Sequence, residues 1–145
     1  PLVDLVTPNL SETKVLCDTG NMQSAEREAA GRRLAKENAC AVLIKGGHGR
    51  EYGDSDAGDL LIPGADKPAV WFRVPFIENP NTHGTGCTLS SAIACGLAEG
   101  NTMEHSVQKA KEYLTGAIAA GLDLGAGNGP LNHFYKNERK EKNGN

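Results

Sequence analysis

Apolar positions in this chain fall into short uniform runs separated by longer polar stretches of helix-forming composition. Residues 3–6 make one such run, ended by Thr7-Pro8, since proline cannot continue a central ladder. Residues 41–44 (Ala-Val-Leu-Ile) make another, too short for a helix and apolar throughout, as a strand buried on both faces must be. Between them the sequence predicts a helix starting near Ser11 and a second over residues 23–38, which are rich in Ala, Glu, Arg and Lys. That alternation points to βαβ units around a parallel sheet. Residues 51–68 contain Gly53, Gly58, Pro63, Gly64 and Pro68 around a strand at 59–62. Residues 69–77 predict a partner strand, forming an antiparallel hairpin at the sheet edge. Farther on, Leu89, Ala92, Ile93, Gly96 and Leu97 mark one helix face. Thr102 is a good N-cap for a helix whose face carries Val107, Ala110, Leu114, Ala117 and Ile118.

The chemistry concentrates where the hairpin's second strand gives way to a helix, at Asn81-Thr82-His83-Gly84-Thr85-Gly86-Cys87. Gly84 and Gly86 let the backbone approach a ligand closely, and the helix opening there offers free N–H groups and a partial positive charge. Such a terminus binds anions and favours the thiolate form of a cysteine. The turn is not a Walker loop, because no Gly-Lys-Ser/Thr follows, and Gly47-His48-Gly49 lacks the third glycine of a dinucleotide fingerprint. An isolated Gly-x-Gly-Cys is more often an ordinary helix start, so the surrounding context has to carry the reading. Thr82 and Thr85 have hydroxyls that could meet phosphate or simply satisfy the loop. His83 and Cys87 have helical spacing, but the glycines between them exclude a regular helix and with it a metal pair.

Asn9 and Glu12, three apart at the start of a helix, suit either a capping box or a pair of oxygen ligands. Lys45 ends an apolar strand, on the edge where open α/β sheets bind ligands, although a plain surface lysine would look the same. Cys17, Cys40 and Cys95 read as buried structural thiols.

Four blocks, Thr7-Pro8-Asn9-Leu10-Ser11-Glu12, Lys45-Gly46-Gly47-His48, the stretch from Asn81 to Ser90, and Gly127 to Phe134, occur in an order that resembles the hydroxymethylpyrimidine and phosphomethylpyrimidine kinases of thiamine biosynthesis. The resemblance covers residues 1–135 and implies a ribokinase-like three-layer α/β/α fold, its sheet mostly parallel with an antiparallel edge hairpin. It implies ATP and Mg²⁺ as cofactors, Asn9 and Glu12 at the metal, Lys45 and Thr82 at the nucleotide phosphates, an anion hole from Gly84, Thr85, Gly86 and Cys87, and Cys87 as base. Most sugar kinases of that superfamily carry Asp in place of the cysteine. The implied substrate is a pyrimidine alcohol and then its monophosphate. Pyridoxal kinases share the phosphate machinery, so a pyridoxal kinase stays open, as does a nonenzymatic partner-binding remnant. A thiol hydrolase lacks a recognisable partner set for Cys87.

The family domain is almost twice as long as these 145 residues, and the chain opens abruptly on an apolar strand. The expectation is therefore the C-terminal part of a kinase domain at residues 1–135, followed by a disordered tail or linker at 136–145, doubtful in activity alone and open to homodimerisation when full length. The tail holds four basic and two acidic residues, which leaves the body more acidic than the net charge of −3 and disfavours nucleic acid. No apolar run is long enough to span a bilayer. Four cysteines without a Cys-x-x-Cys pair suit a reducing cytoplasm and a reactive thiol.

Overall fold

The computed structural model describes residues 2–20, 22–79, 84–122 and 129–137. The chain divides into two compact units, Pro1–Phe76 and Ile77–Asn145.

The first unit is built on a four-stranded sheet in the order β1 (Leu5–Val6), β2 (Ala41–Ile44), β3 (Ala57–Ile62), β4 (Val70–Val74). β1 and β2 run parallel, with Leu5 against Ala41 and Val6 against Val42. The other two pairings are antiparallel, β2 with β3 from Val42–Ile62 to Ile44–Leu60, and β3 with β4 from Ala57–Val74 to Leu61–Val70. The expected hairpin is therefore present, and within this chain antiparallel pairing reaches one strand further in than the sheet edge. Between β1 and β2 the chain makes two helices, α1 (Leu10–Cys17) and α2 (Ser24–Asn38).

The apolar runs of β2 and of β3 from Leu60 to Ile62 are strands in which every position is buried. Val42, Leu43, Ile44, Leu60, Leu61 and Ile62 are all at most 1 % exposed, and each such side chain contributes about 1.5–3 kcal/mol on leaving water. One face joins Leu10 and Cys17 of α1 with Ala30, Leu34 and Ala35 of α2 around Val42, Ile44, Leu60 and Ile62. Arg27 of α2 is also inside, 1 % exposed. Its Nε donates to the Met22 carbonyl, and its Nη1 lies 2.6 Å from Asp54 Oδ2, a charge contact without hydrogen-bond alignment. This pair ties α2 to the short 3₁₀ turn at Gly49–Tyr52, whose first residue receives the Asp54 N–H at 3.0 Å.

The second unit packs α3 (Thr85–Ala98) and α4 (Met103–Ala120) against one another. Leu89, Ile93 and Gly96 of α3 are buried, as are Val107, Ala110 and Ala117 of α4. The Thr102 hydroxyl caps α4 by accepting the His105 N–H at 3.2 Å. Ala117, Leu131 and Tyr135 form a further cluster with Tyr113, Leu114 and Ile118. Lys136 lies over the rings of Tyr113 and Tyr135. Cys95 corrects an expectation: it is exposed. It stands two residues beyond buried Ile93, about 200° round the helix, and so faces away from the packed side.

In the first unit, Val6, Thr7, Pro8, Ser11, Glu12, Val15 and Leu16 line an open groove of about 640 Å³ beside β1. Val15 is 82 % exposed and Leu16 57 %. An apolar surface of this kind drives association. The 145-residue chain, purified alone, is expected to elute larger than a monomer and to scatter light. Val15→Glu with Leu16→Lys should restore monomer while changing unfolding free energy by less than about 0.5 kcal/mol, as surface changes do. Equal self-association of the wild type and the double variant would exclude this face as the cause.

Candidate active site

Each unit presents a group of polar residues where the sequence singled them out. In the first unit the parallel pairing of β1 and β2 continues past their last ladder residues: Asn9 bridges to Lys45 in parallel, and the Lys45 N–H donates to the Pro8 carbonyl at 2.8 Å. Asn9 and Lys45 thus stand side by side at the carboxyl edge of two parallel strands, the edge at which open α/β sheets bind ligands.

Asn9 is the N-cap of α1. Its Oδ1 accepts the Glu12 N–H at 2.8 Å, and its own N–H donates to Glu12 Oε2 at 2.6 Å, a complete capping box. The Asn9 carbonyl receives both the backbone N–H and the hydroxyl of Thr13. Asn9 is therefore occupied in turning the chain into the helix, while Glu12 is exposed and uses one carboxylate oxygen in the cap. The donor set suits Mg²⁺, a hard cation that keeps several waters and is held through one or two carboxylates. Glu12 would meet such a hydrated ion, and Asn9 would fix the carboxylate's direction.

Lys45 is half-buried and leads into Gly46, which has no room for a side chain: a Cβ there would come 1.9 Å from the Gly58 carbonyl oxygen. The Gly46 N–H is taken by the buried carboxylate of Asp59 at 2.8 Å.

In the second unit α3 opens at Gly84, whose φ of 82° is left-handed and costs a residue with Cβ about 1–2 kcal/mol. Among the described residues no side chain caps the helix. The first intrahelical bond runs from the Thr88 N–H to the Gly84 carbonyl at 2.9 Å, so the N–H groups of Thr85, Gly86 and Cys87 lie ahead of the ladder, as the first N–H groups of any helix do. Cys87 is the third helical residue and is exposed. The helix start that the sequence predicts before Cys87 is therefore present. Thr82 and His83 lie outside the described residues.

Sequence reasoning missed Asp59 and Arg27. Asp59 stands as the one acid at the head of the apolar run 59–62, and an acid inside a buried strand requires a donor; that mismatch was the available signal. Arg27 is indistinguishable in sequence from the solvated arginines around it.

Comparison with known proteins gives the family and the fold. Residues 1–132 match the family described as phosphomethylpyrimidine kinase. The chain belongs to that family. It is similar to the hydroxymethylpyrimidine/phosphomethylpyrimidine kinase of Streptomyces coelicolor, 48 % identical over 93 % of this chain and 48 % of that one. It is likewise similar to the Haemophilus influenzae enzyme of the same name, 35 % identical over 92 % of this chain and 49 % of the relative. Among solved structures it resembles Bacillus subtilis pyridoxal kinase in an ADP complex, with a TM-score of 0.82 and 30 % identity over 94 % of this chain and 50 % of that one. It also resembles Staphylococcus aureus pyridoxal kinase with AMP-PCP and pyridoxal, with a TM-score of 0.83, 29 % identity and the same coverage of 94 % and 50 %. These likenesses give the chain an α/β fold of the ribokinase-like kind. The chain spans about half the length of these two curated relatives.

Exposure separates the four thiols. Cys17 and Cys40 are buried, Cys87 and Cys95 exposed. Burial pushes the Cys17 thiol up, against the opposing pull of the nearby Arg33 charge. Brief alkylation of the native protein near neutral pH should label Cys87 and Cys95, with Cys17 and Cys40 reacting only after denaturation. Peptide mass mapping reads the outcome, and early labelling of Cys17 would contradict its packing.

Proposed function

We propose that this chain is the C-terminal part, at residues 1–135, of an ATP- and Mg²⁺-dependent kinase that phosphorylates 4-amino-5-hydroxymethyl-2-methylpyrimidine and then its monophosphate in thiamine biosynthesis, in the cytoplasm. The observation that carries the reading is the open N-terminus of α3 with Cys87 in its first turn, in a chain of this family. The relatives' names, their doubled length and the exposed groove beside β1 support it further.

In the first phosphorylation the substrate's hydroxyl oxygen attacks the γ-phosphorus, the bond from that phosphorus to the ADP oxygen breaks, and the Cys87 thiolate accepts the hydroxyl proton. The N–H groups of Gly84, Thr85, Gly86 and Cys87 stabilise charge on the transferring phosphoryl group, as oriented donors do in such sites. Lys45, with Thr82, offsets charge on the nucleotide. Mg²⁺, when bound, neutralises the phosphates, and Glu12 with Asn9 would hold its waters. Pyridoxal phosphorylation is a second reading, favoured by the likeness to pyridoxal kinases in fold. Turnover of both alcohols by the full-length protein decides between them, and greater efficiency with pyridoxal would overturn the pyrimidine assignment.

In the full-length protein Cys87→Ala should lower kcat by about two to four orders of magnitude with little change in nucleotide affinity, because only proton transfer is removed. Cys87→Asp should retain part of the activity. Wild-type kcat in Cys87→Ala would end the assignment of the base. Glu12→Gln keeps a side-chain oxygen for the capping box and so should leave the thermal midpoint nearly unchanged. Its defect should appear as a raised Mg²⁺ requirement, relieved by excess metal; an unchanged Mg²⁺ titration would confine Glu12 to the cap.

A further inference from the structure

The roles given so far leave the Asp59 carboxylate unused. It is 5 % exposed, on β3 between Gly58 and Leu60, and its Oδ1 accepts the Gly46 N–H. Carboxylates are buried this deeply only where hydrogen-bond donors compensate their lost hydration, so one in a strand otherwise apolar from Leu60 to Ile62 has a specific task.

Register shows what that task is. Ile44 pairs with Leu60, so the next positions along set Lys45 across from Asp59 and Gly46 across from Gly58. The absence of space for a Cβ on Gly46 shows that the strands stay in close approach past their last ladder pair. There the Asp59 side chain, instead of a backbone carbonyl, receives the Gly46 N–H. On the other side Lys45 is held by its own N–H to the Pro8 carbonyl. The two peptide groups flanking the Lys45 Cα are therefore both fixed, the first by β1 and the second by a buried charge-assisted hydrogen bond.

We propose that Asp59 is a positioning residue for Lys45: its buried carboxylate locks the Lys45–Gly46 peptide plane and so sets the direction in which the lysine leaves the sheet edge. The inference rests on the role given to Lys45 above. A glycine at 46 is what makes the arrangement workable, since it admits the close strand approach that brings its N–H within reach of Asp59.

The test is a double-mutant cycle in the full-length protein, reading kcat and the KM for ATP together with thermal midpoints. Asp59→Ala should lower kcat/KM for ATP about tenfold or more, and Asp59→Asn, which keeps an acceptor oxygen, should stay within about threefold of wild type. In a Lys45→Ala background Asp59→Ala should cost less than about twofold further, because residues acting as a unit are not additive. Wild-type activity in Lys45→Ala would overturn the role of Lys45 and this inference with it. An impaired Lys45→Ala whose loss multiplies with that of Asp59→Ala, or an Asn variant as poor as the Ala one, would overturn the inference alone. If Asp59→Ala does not fold, folded Asp59→Asn decides: a wild-type KM for ATP supports the positioning role, and a tenfold rise overturns it.

Discussion

The arrangement of the first unit depends on the hydrogen bond from the Lys45 N–H to the Pro8 carbonyl. Pro8 has no N–H to give, so β1 cannot continue as a ladder beyond it, yet its carbonyl still serves β2. The strand ends and the pairing does not. One residue later Asn9 caps α1, so that the end of a parallel strand, the start of a helix and the end of the neighbouring strand are fixed by adjoining backbone groups. Polar side chains placed at that junction inherit its rigidity, which is what a site for a highly charged ligand requires.

The second unit offers a different solution to the same electrostatic problem. Its donors are the leading N–H groups of α3, supplied by backbone, and Gly84 as the N-cap residue brings no side chain of its own to occupy them. The first unit thus presents side-chain charges and the second presents peptide dipoles. Neither depends on a long flexible side chain alone for its placement.

The sequence displayed these elements unevenly. Short apolar runs such as 41–44 and 60–62 announced buried strands because they are too short for a helix and apolar throughout. The spacing of Asn9 and Glu12 announced the capping box for an equally local reason, and Thr102 its cap. Long-range partnerships were hidden. Arg27 is buried because Asp54 and the Met22 carbonyl meet it, and Asp59 because Gly46 does; neither fact is written near the residue concerned. Cys95 departs from the usual burial of thiols because the packed stripe of Leu89, Ile93 and Gly96, legible in the spacing, leaves it outside. The candidate site was legible where it depends on backbone, in the glycines before Cys87, and much less so where it depends on supporting charges.

The sheet's connectivity carries a consequence for the order in which the chain folds. β3 and β4 are joined through residues 63–69, and β2 and β3 through residues 45–56, whereas pairing β1 with β2 must enclose everything from 7 to 40, including two helices. Closing a longer loop costs more chain entropy, and contacts between distant residues slow folding. The three-stranded antiparallel part is accordingly expected to form first, and the parallel strand to join later. Lys45 sits at the seam between the two. On that order its β3 flank is organised first and its β1 flank when the parallel strand docks, so the sheet edge bearing Asn9 and Lys45 is expected to reach its final geometry last.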